Sequence, residues 1–410
     1  MELFKREKYL SKIRPFYDDA DIIKVITGVR RCGKSSLMQT VADELIDRGI
    51  SKSNIIFLNL DDIKFRKIKT ADLLEKLIKD NLNDTDEFCY LFIDEVQNVD
   101  GFEEVINGYR NEGNISIFIT GSNSYLLSGE LITKLTGRYL EFEMYPLCFD
   151  EYISMKKFYN IEVNSNLSAE LNNYIIDGGF PRAIFIDDGN AKKTYVKGIV
   201  DEIFEKDISR RVKIKDRATF DTVRRFIINN FGSTVSISSI QKALKKNNIS
   251  VSRETLSKYI KTLLDSKILY ECERFDLKSK KMLSGEKKYY LSDLSFAFSD
   301  NTDNRINYGP VLENIVYIYA KSKGYSISVG KIGKLECDFI LRNSDNEYCY
   351  IQVAYTILEN RDTEDREYRA LEVIKDNYPK YLLTADYLLQ KRNGIQHSNI
   401  MEFMVNEKSF

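Results

Sequence analysis

The chain has 410 residues and a mass of 47.7 kDa, with 43% apolar residues, 30% charged residues and only 5 prolines. These proportions fit a folded, soluble, helix-rich chain of two to four domains. A net charge of −1 and a pI near 6.2 do not suggest a protein built mainly to coat nucleic acid, while leaving room for a local basic face.

Six cysteines (Cys32, Cys89, Cys148, Cys272, Cys337, Cys349) form no C-x-x-C pair, and several fall in apolar runs. They read as reduced, buried thiols. The single histidine, His397, cannot by itself make a zinc site. The N-terminal stretch lacks a signal-peptide core, and no apolar run is long enough to span a bilayer. The expected compartment is the cytoplasm, with no membrane partner.

Residues 1 to about 20 read as a short amphipathic lead-in, with Tyr9, Leu10, Ile13 and Phe16 available for packing. A β-branched strand, Ile22-Ile23-Lys24-Val25-Ile26-Thr27, then runs into Gly28-Val29-Arg30-Arg31-Cys32-Gly33-Lys34-Ser35-Ser36. This stretch fits the phosphate-loop pattern G-x-x-x-x-G-K-[ST] at every fixed position. Two glycines let the backbone curl so that successive N–H groups point inward at phosphate oxygens. Lys34 is placed to reach the β- and γ-phosphates, and the Ser35 hydroxyl to ligate Mg²⁺. Leu37, Val41 and Leu45 recur at helical spacing up to Gly49 and set a helix N-terminus under the phosphates.

Beyond it, Ile55–Leu60 is a second buried strand and residues 70 to 82 a helix with Leu73, Leu74, Leu77 and Ile78 on one face. Cys89–Ile93, Ile115–Ile119 and Tyr139–Glu143 are the third, fourth and fifth strands. Continuous apolar strands alternating with helices imply a parallel sheet covered on both faces. The third strand ends in Asp94-Glu95, an acidic pair at the sheet's carboxyl edge. Asp94 is the expected Mg²⁺ ligand and Glu95 the group that polarises the attacking water. The fourth strand runs into Thr120-Gly121-Ser122-Asn123. Thr120, Ser122 and Asn123 are all chemically able to sense the γ-phosphate, with Asn123 the choice by chemistry; a helix N-cap is the competing role.

Three helices follow, Phe149–Tyr159, Leu167–Asp177 and a long one from about Ala191 to Arg211. Next come Thr219–Phe231, Ser236–Lys246 and Ser252–Ser266, and then a strand pair, Ile268–Phe275 and Lys288–Leu291, flanking the basic tip Lys278-Ser279-Lys280-Lys281. That order is a winged helix. Its third helix shows Arg253, Lys258 and Lys261, which suit DNA phosphates or, equally, a role in protein packing. The last segment has a helix over Val311–Ser322 with Glu313, then strands Leu335–Leu341 and Tyr348–Tyr355. It resembles the PD-(D/E)xK nuclease core, in which two acids hold Mg²⁺ and a lysine faces the attacked phosphate. Asp338 supplies one acid, but Gln352 and Ala354 stand where the second acid and the lysine belong. A neutral amide binds Mg²⁺ poorly and the missing ammonium removes transition-state charge. The expected outcome is a nuclease-like fold without nuclease activity, unless Lys331 or Lys334 substitutes.

The strings from Val25 to Ser35, Phe92 to Gln97 and Thr120 to Ser122 resemble a predicted AAA+ ATPase family of bacteria and archaea. Leu135-Thr136-Gly137-Arg138, Pro146–Tyr152 and Gly178-Gly179-Phe180-Pro181 continue the likeness over essentially the whole chain. The family carries a nuclease-like C-terminal domain of unknown function. The resemblance implies an α/β architecture: a P-loop AAA+ parallel-sheet core (1–148), a helical lid (149–215), a winged-helix domain (216–304) and a PD-(D/E)xK nuclease-like domain (305–410). It implies ATP and Mg²⁺ as cofactors, with Arg138 an arginine finger on a neighbouring subunit's ATP in a homo-oligomer and Pro181 packing near the nucleotide base. A surface arginine is the other reading of Arg138. The leading expectation is an ATP-driven switch acting on a protein partner. An ATP-holding scaffold with little turnover and an ATP-regulated nuclease are the alternatives.

Overall fold

The alternating pattern is realised in a computed structural model, which describes residues 2–82, 87–121, 135, 137–209, 214, 216–299 and 305–410. The chain forms two compact units. One is Met1–Tyr145 with Glu205–Ile208, and the other is Pro146–Phe204 with Ser209–Phe410.

The first unit contains α1 (Glu7–Ile13), β1 (Ile23–Gly28), α2 (Lys34–Asp47), β2 (Ile55–Asn59), α3 (Ala71–Asn81), β3 (Cys89–Asp94), α4 (Phe102–Glu112), β4 (Ile115–Thr120) and β5 (Tyr139–Met144). Its five strands are all parallel, in the order β2-β3-β4-β1-β5. Every residue of β1, β3 and β4 is buried, which is why those segments read as near-continuous apolar runs, with few polar residues, rather than alternating ones. One face packs Val25, Leu58, Leu91, Ile93 and Ile117 against Leu74 and Ile78 of α3 and Ile106 of α4. Leu73, expected on the same helical face, is 41% exposed. It lies one residue, or 100° of arc, from Leu74, and the stripe centred on Leu74 and Ile78 leaves it at the solvent edge. The lead-in packs as expected through Tyr9, Leu10 and Ile13, with Phe16 half-buried. It is pinned to α2 by a two-pronged Arg14–Glu44 contact (2.9 and 2.8 Å) and by the Tyr17 hydroxyl, which donates to Glu44 at 3.0 Å.

Because β4 lies between β1 and β3, the carboxyl ends of three strands stand side by side. Ile26 is in register with Thr120, and Ile93 with Ile119. That order brings Gly28, Asp94 and Thr120 to one edge of the sheet.

The second unit begins with α5 (Phe149–Phe158), α6 (Leu167–Asp177) and α7 (Gly189–Glu202); the chain continues from α7 as a π-helical stretch over Ile203–Ile208, of which Glu205–Ile208 belong to the first unit. The long helix expected to run to Arg211 therefore leaves α-helical geometry after Glu202. Then come α8 (Arg217–Asn229), β6 (Thr234–Val235), α9 (Ile237–Lys246), α10 (Arg253–Asp265), β7 (Leu269–Asp276), β8 (Lys281–Leu291) and α11 (Ser295–Ser299). Ser236 and Ser252 cap α9 and α10 by accepting the N–H groups of Ser239 and Thr255. The remainder is α12 (Tyr308–Lys323), β9 (Ser326–Ile332), β10 (Leu335–Arg342), β11 (Tyr348–Val353), α13 (Arg361–Glu372), β12 (Lys380–Thr384), β13 (Lys391–Arg392), β14 (Ile395–Asn399) and α14 (Ile400–Val405).

These strands form one nine-stranded sheet, β13-β14-β12-β11-β10-β9-β7-β8-β6. The hairpin of β7 and β8 and the C-terminal strands, read from sequence as separate modules, are thus continuous. The join is β7 on β9, parallel, with Arg274–Asp276 opposite Val329–Lys331. The sequence reading holds no strand at β9. The short Ser-Ile-Ser-Val-Gly-Lys-Ile run lacks the apolar density of its neighbours and has Gly330 inside it, where a Cβ would stand 3.1 Å from Cys337 and Ile340.

Candidate nucleotide site

At Gly28 the backbone has a φ of 143°. A Cβ there would lie 2.3 Å from the Met144 carbonyl oxygen and 2.8 Å from the Cys32 sulfur, so only glycine fits. Left-handed backbone at Arg31 (φ 68°) and Gly33 (φ 110°) then turns the loop's N–H groups inward before α2 starts at Lys34. The result is a nest of amides ahead of a 14-residue helix, an anion-binding arrangement built from backbone alone.

Lys34 is 7% exposed, and its Nζ donates to the carbonyls of Gly28 (3.0 Å) and Val29 (3.3 Å). The ammonium is held over the loop's own entrance. The Ser35 side chain has no hydrogen-bond partner among the described residues. Val29, Cys32 and Ser36 complete the expected loop. Burial pushes the Cys32 thiol up, so it is packing, not a reactive thiolate. The Cys32 carbonyl accepts from Arg6 Nη1 (3.0 Å), which also donates to the Tyr145 carbonyl (2.9 Å). Arg6 thus clamps the loop to the end of β5, a role hidden in sequence because Lys5-Arg6-Glu7-Lys8 looks like a solvated charge run. Arg30 turns the other way, onto Asp207.

Asp94 ends β3 and is 2% exposed. Its Oδ1 accepts the Thr120 hydroxyl, and its side chain has no other hydrogen bond or ion pair among the described residues. Glu95 follows in left-handed backbone (φ 57°), a strained setting for a non-glycine residue. Its N–H donates to Thr120 Oγ1 at 3.1 Å, and its carboxylate accepts from the Gln97 side-chain amide. Thr120 therefore touches both acids. Ser122 and Asn123 lie outside the described residues. One open carboxylate oxygen on Asp94 and a free Ser35 hydroxyl fit Mg²⁺, which keeps several waters and takes its other oxygens from phosphates. No group of three or more His, Cys, Asp or Glu residues suited to a metal exists among the described residues.

Arg138 sits at the opposite edge. Its carbonyl accepts the Ile23 N–H (2.9 Å) where β1 begins, and its exposed guanidinium donates to Asn107 (3.0 Å). The length of β1, on the order of 17 Å by strand rise, separates it from its own phosphate loop.

Pro181 belongs to the second unit, where it opens a 3₁₀ turn over Pro181–Phe185. The glycines before it have packing reasons. A Cβ on Gly179 would meet the Leu147 carbonyl oxygen at 2.1 Å, and the Gly179 N–H donates to Asp293 Oδ2 at 2.7 Å. Complete burial pushes the Asp293 carboxyl up to about 6, against the pull of its Ser295 and Gly179 donors.

The second unit also holds a charged cluster around the buried Lys288. Lys288 Nζ, on β8, lies 2.9 Å from Glu313 Oε2 of α12 and 3.0 Å from Glu336 Oε1 of β10. The Tyr290 hydroxyl donates to Glu313 (2.9 Å), and Asp338 Oδ2 accepts the Val353 N–H (2.8 Å). Gln352 is engaged with protein, its Nε2 donating to Glu367 at 2.9 Å, and Ala354 packs in the apolar core. Burial raises the Asp338 carboxyl well above the usual range, aided by Glu313 and opposed by Lys288. Neither expected substitute lysine fills the gap. Lys331 is paired across β9–β10 with Glu336 in the strand register, and Lys334 lies in the exposed turn between them. The ammonium that meets the acids is Lys288, from a hairpin that local sequence gave no reason to place here.

Residues 20–153 match the model of an AAA domain, and residues 168–299 a domain of unknown function (DUF8612). The latter spans parts of both the expected lid and the expected winged helix. Among solved structures, the Walker-type ATPase paby2304 of Pyrococcus abyssi is similar in fold, with a TM-score of 0.51 at 18% identity over 72% of this chain and 95% of that one. An uncharacterized protein of Haemophilus influenzae is 37% identical over 98% of this chain and 99% of its own length. Another, from Methanocaldococcus jannaschii, is 32% identical over 92% of this chain and 84% of its own. No helix among the described residues is long and apolar enough to cross a membrane. With an AAA domain of P-loop ATPase fold at its head, the chain belongs to one family with these two uncharacterized bacterial and archaeal proteins.

Proposed function

We propose that the protein is a Mg²⁺-dependent ATPase whose nucleotide cycle acts on a protein partner through its second unit. One observation carries this reading: Thr120 bridges Asp94 and the Glu95 backbone at the edge where the phosphate loop leaves β1. In the proposed site the loop N–H groups and Lys34 hold the β- and γ-phosphates, while Ser35 and Asp94 hold Mg²⁺. The metal would neutralise phosphate charge. Glu95 would orient and polarise water, with Thr120 fixing it relative to Asp94. Arg138, too far from its own loop, suits a neighbouring subunit's ATP in a homo-oligomer. Calorimetry of ATP binding to wild-type and Lys34→Ala protein tests the site. Unchanged affinity in the variant would remove it.

The C-terminal part of the second unit we read as nuclease-like and inactive, because Gln352 is tied to Glu367 and the Lys288 ammonium is already matched by two carboxylates. A second reading concerns DNA. The order α8-β6-α9-α10-β7-β8, with β6 antiparallel to β8, supports reading this part as a winged helix. Exposed Lys242, Lys245, Lys246, Arg253, Lys258 and Lys261 on α9 and α10 have no ion pair among the described residues. In a chain of net charge −1 this is a concentrated basic face suited to duplex phosphates. Loss of duplex binding in Arg253→Ala/Lys261→Ala, measured at two salt concentrations, tests it; a wild-type protein that binds no duplex rejects it.

A further inference from the structure

The phosphate loop carries one arginine that turns to a much later stretch of the chain. Arg30 donates from Nε to Asp207 Oδ2 (3.1 Å) and from Nη2 to Asp207 Oδ1 (2.9 Å). The two side chains are only 11% and 7% exposed. Asp207 comes from Glu205–Ile208, the four residues by which the chain re-enters the first unit; the residues before and after them belong to the second. All four lie in the π-helical stretch Ile203–Ile208. Such stretches are rare and recur at functional positions.

A buried ion pair adds little net stability, because desolvating both charges offsets most of their attraction. Its effect is positional, since a two-pronged guanidinium–carboxylate contact fixes both plane and direction. Arg30 is bonded on one side to Val29, whose carbonyl accepts from Lys34 Nζ (3.3 Å) and from the Cys32 N–H (3.3 Å). On the other side it is bonded to Arg31, the left-handed residue of the nest. Holding Arg30 therefore holds the loop between its lysine and its phosphate-facing amides.

We propose that Asp207 is a positioning residue for the nucleotide phosphates, acting through Arg30, and that nucleotide occupancy is thereby coupled to the order of Glu205–Ile208. The proposal rests on the reading of the loop as a nucleotide site. Linkage requires reciprocity: if the pair favours the phosphate-binding loop shape, bound phosphate favours the pair by the same factor.

The test uses the full chain with Mg²⁺ and ADP or a non-hydrolysable ATP analogue, read by calorimetry and by hydrogen–deuterium exchange. Nucleotide should slow exchange in the peptide covering Glu205–Ile208 by at least ~5-fold. Asp207→Asn, nearly isosteric but uncharged, should weaken nucleotide binding by about 5- to 20-fold and abolish that slowing. Asp207→Glu should restore part of both. Should Asp207→Asn fail to fold, Arg30→Lys keeps the charge without the fork and gives the same comparison. A merely structural pair would speed exchange equally with and without nucleotide and leave affinity unchanged, which overturns the proposal alone. A wild-type protein that binds no nucleotide overturns the site reading, and the proposal falls with it.

Discussion

Thr120 is the residue on which the geometry of the two acids depends. It donates to Asp94 and accepts from the Glu95 N–H, so its hydroxyl uses both of its capacities at once. Thr120→Val keeps the volume and removes both contacts. We expect kcat for ATP to fall about 10- to 100-fold while nucleotide affinity changes less than ~3-fold, because no phosphate contact is lost. A variant with wild-type kcat would show that turnover does not depend on the Thr120 contacts to the two acids. At Gly28 the expectation is one of stability. The φ of 143° and a carbonyl oxygen 2.3 Å from any Cβ should make Gly28→Ala destabilising by at least ~3 kcal/mol, measured as a fall in the denaturant midpoint. Much of this site was legible in sequence because the chemistry is local there: Gly28, Gly33, Lys34 and Ser35 are one contiguous motif. Asp207 was not legible, since its partner lies 177 positions away and an acid in a charged helix usually faces water.

At the scale of elements, the attachment of the lead-in to α2 has a pH signature. Hydrogen bonding from Arg14, against some desolvation, lowers the Glu44 carboxyl to about 2 from 4.5. Between those values the unfolded chain binds more protons than the folded one, so stability rises with pH across that window. The contribution is complete above pH ~4.5 and is lost as pH falls toward ~2. Glu44→Gln should flatten the acid limb of a midpoint-versus-pH curve; an unchanged limb would place the acid sensitivity elsewhere. The three central strands of the first unit, β1, β3 and β4, were readable because each is buried on both faces and so is mostly apolar. Leu73 was misplaced by periodicity alone, which gives a stripe but not its centre. In the second unit β9 was missed, and with it the sheet that joins the β7–β8 hairpin to the C-terminal strands. Pairing of Arg274–Asp276 with Val329–Lys331 is a non-local fact that neither segment announces.

For the whole molecule, assembly and the C-terminal strands each carry an expected outcome. If Arg138 acts on a neighbouring subunit, specific ATPase activity should rise with protein concentration. Arg138→Ala should flatten that rise without weakening nucleotide binding; a rate independent of concentration would leave Arg138 as a surface residue. The cluster of Lys288, Glu313, Glu336 and Asp338 should not cleave nucleic acid. We expect no cut of single- or double-stranded DNA or RNA with Mg²⁺ or Mn²⁺, with or without ATP, and wild-type ATPase activity in Asp338→Ala. Metal-dependent cleavage lost in that variant would make Lys288 a catalytic lysine. The central claim is ATP turnover at the edge formed by β1, β3 and β4, and phosphate release from Mg²⁺–ATP by wild-type and Glu95→Gln protein side by side tests it most directly. The account predicts steady turnover in the wild type and at least ~100-fold less in Glu95→Gln, with ATP still bound. Equal turnover in the two proteins, or none in the wild type, would contradict it.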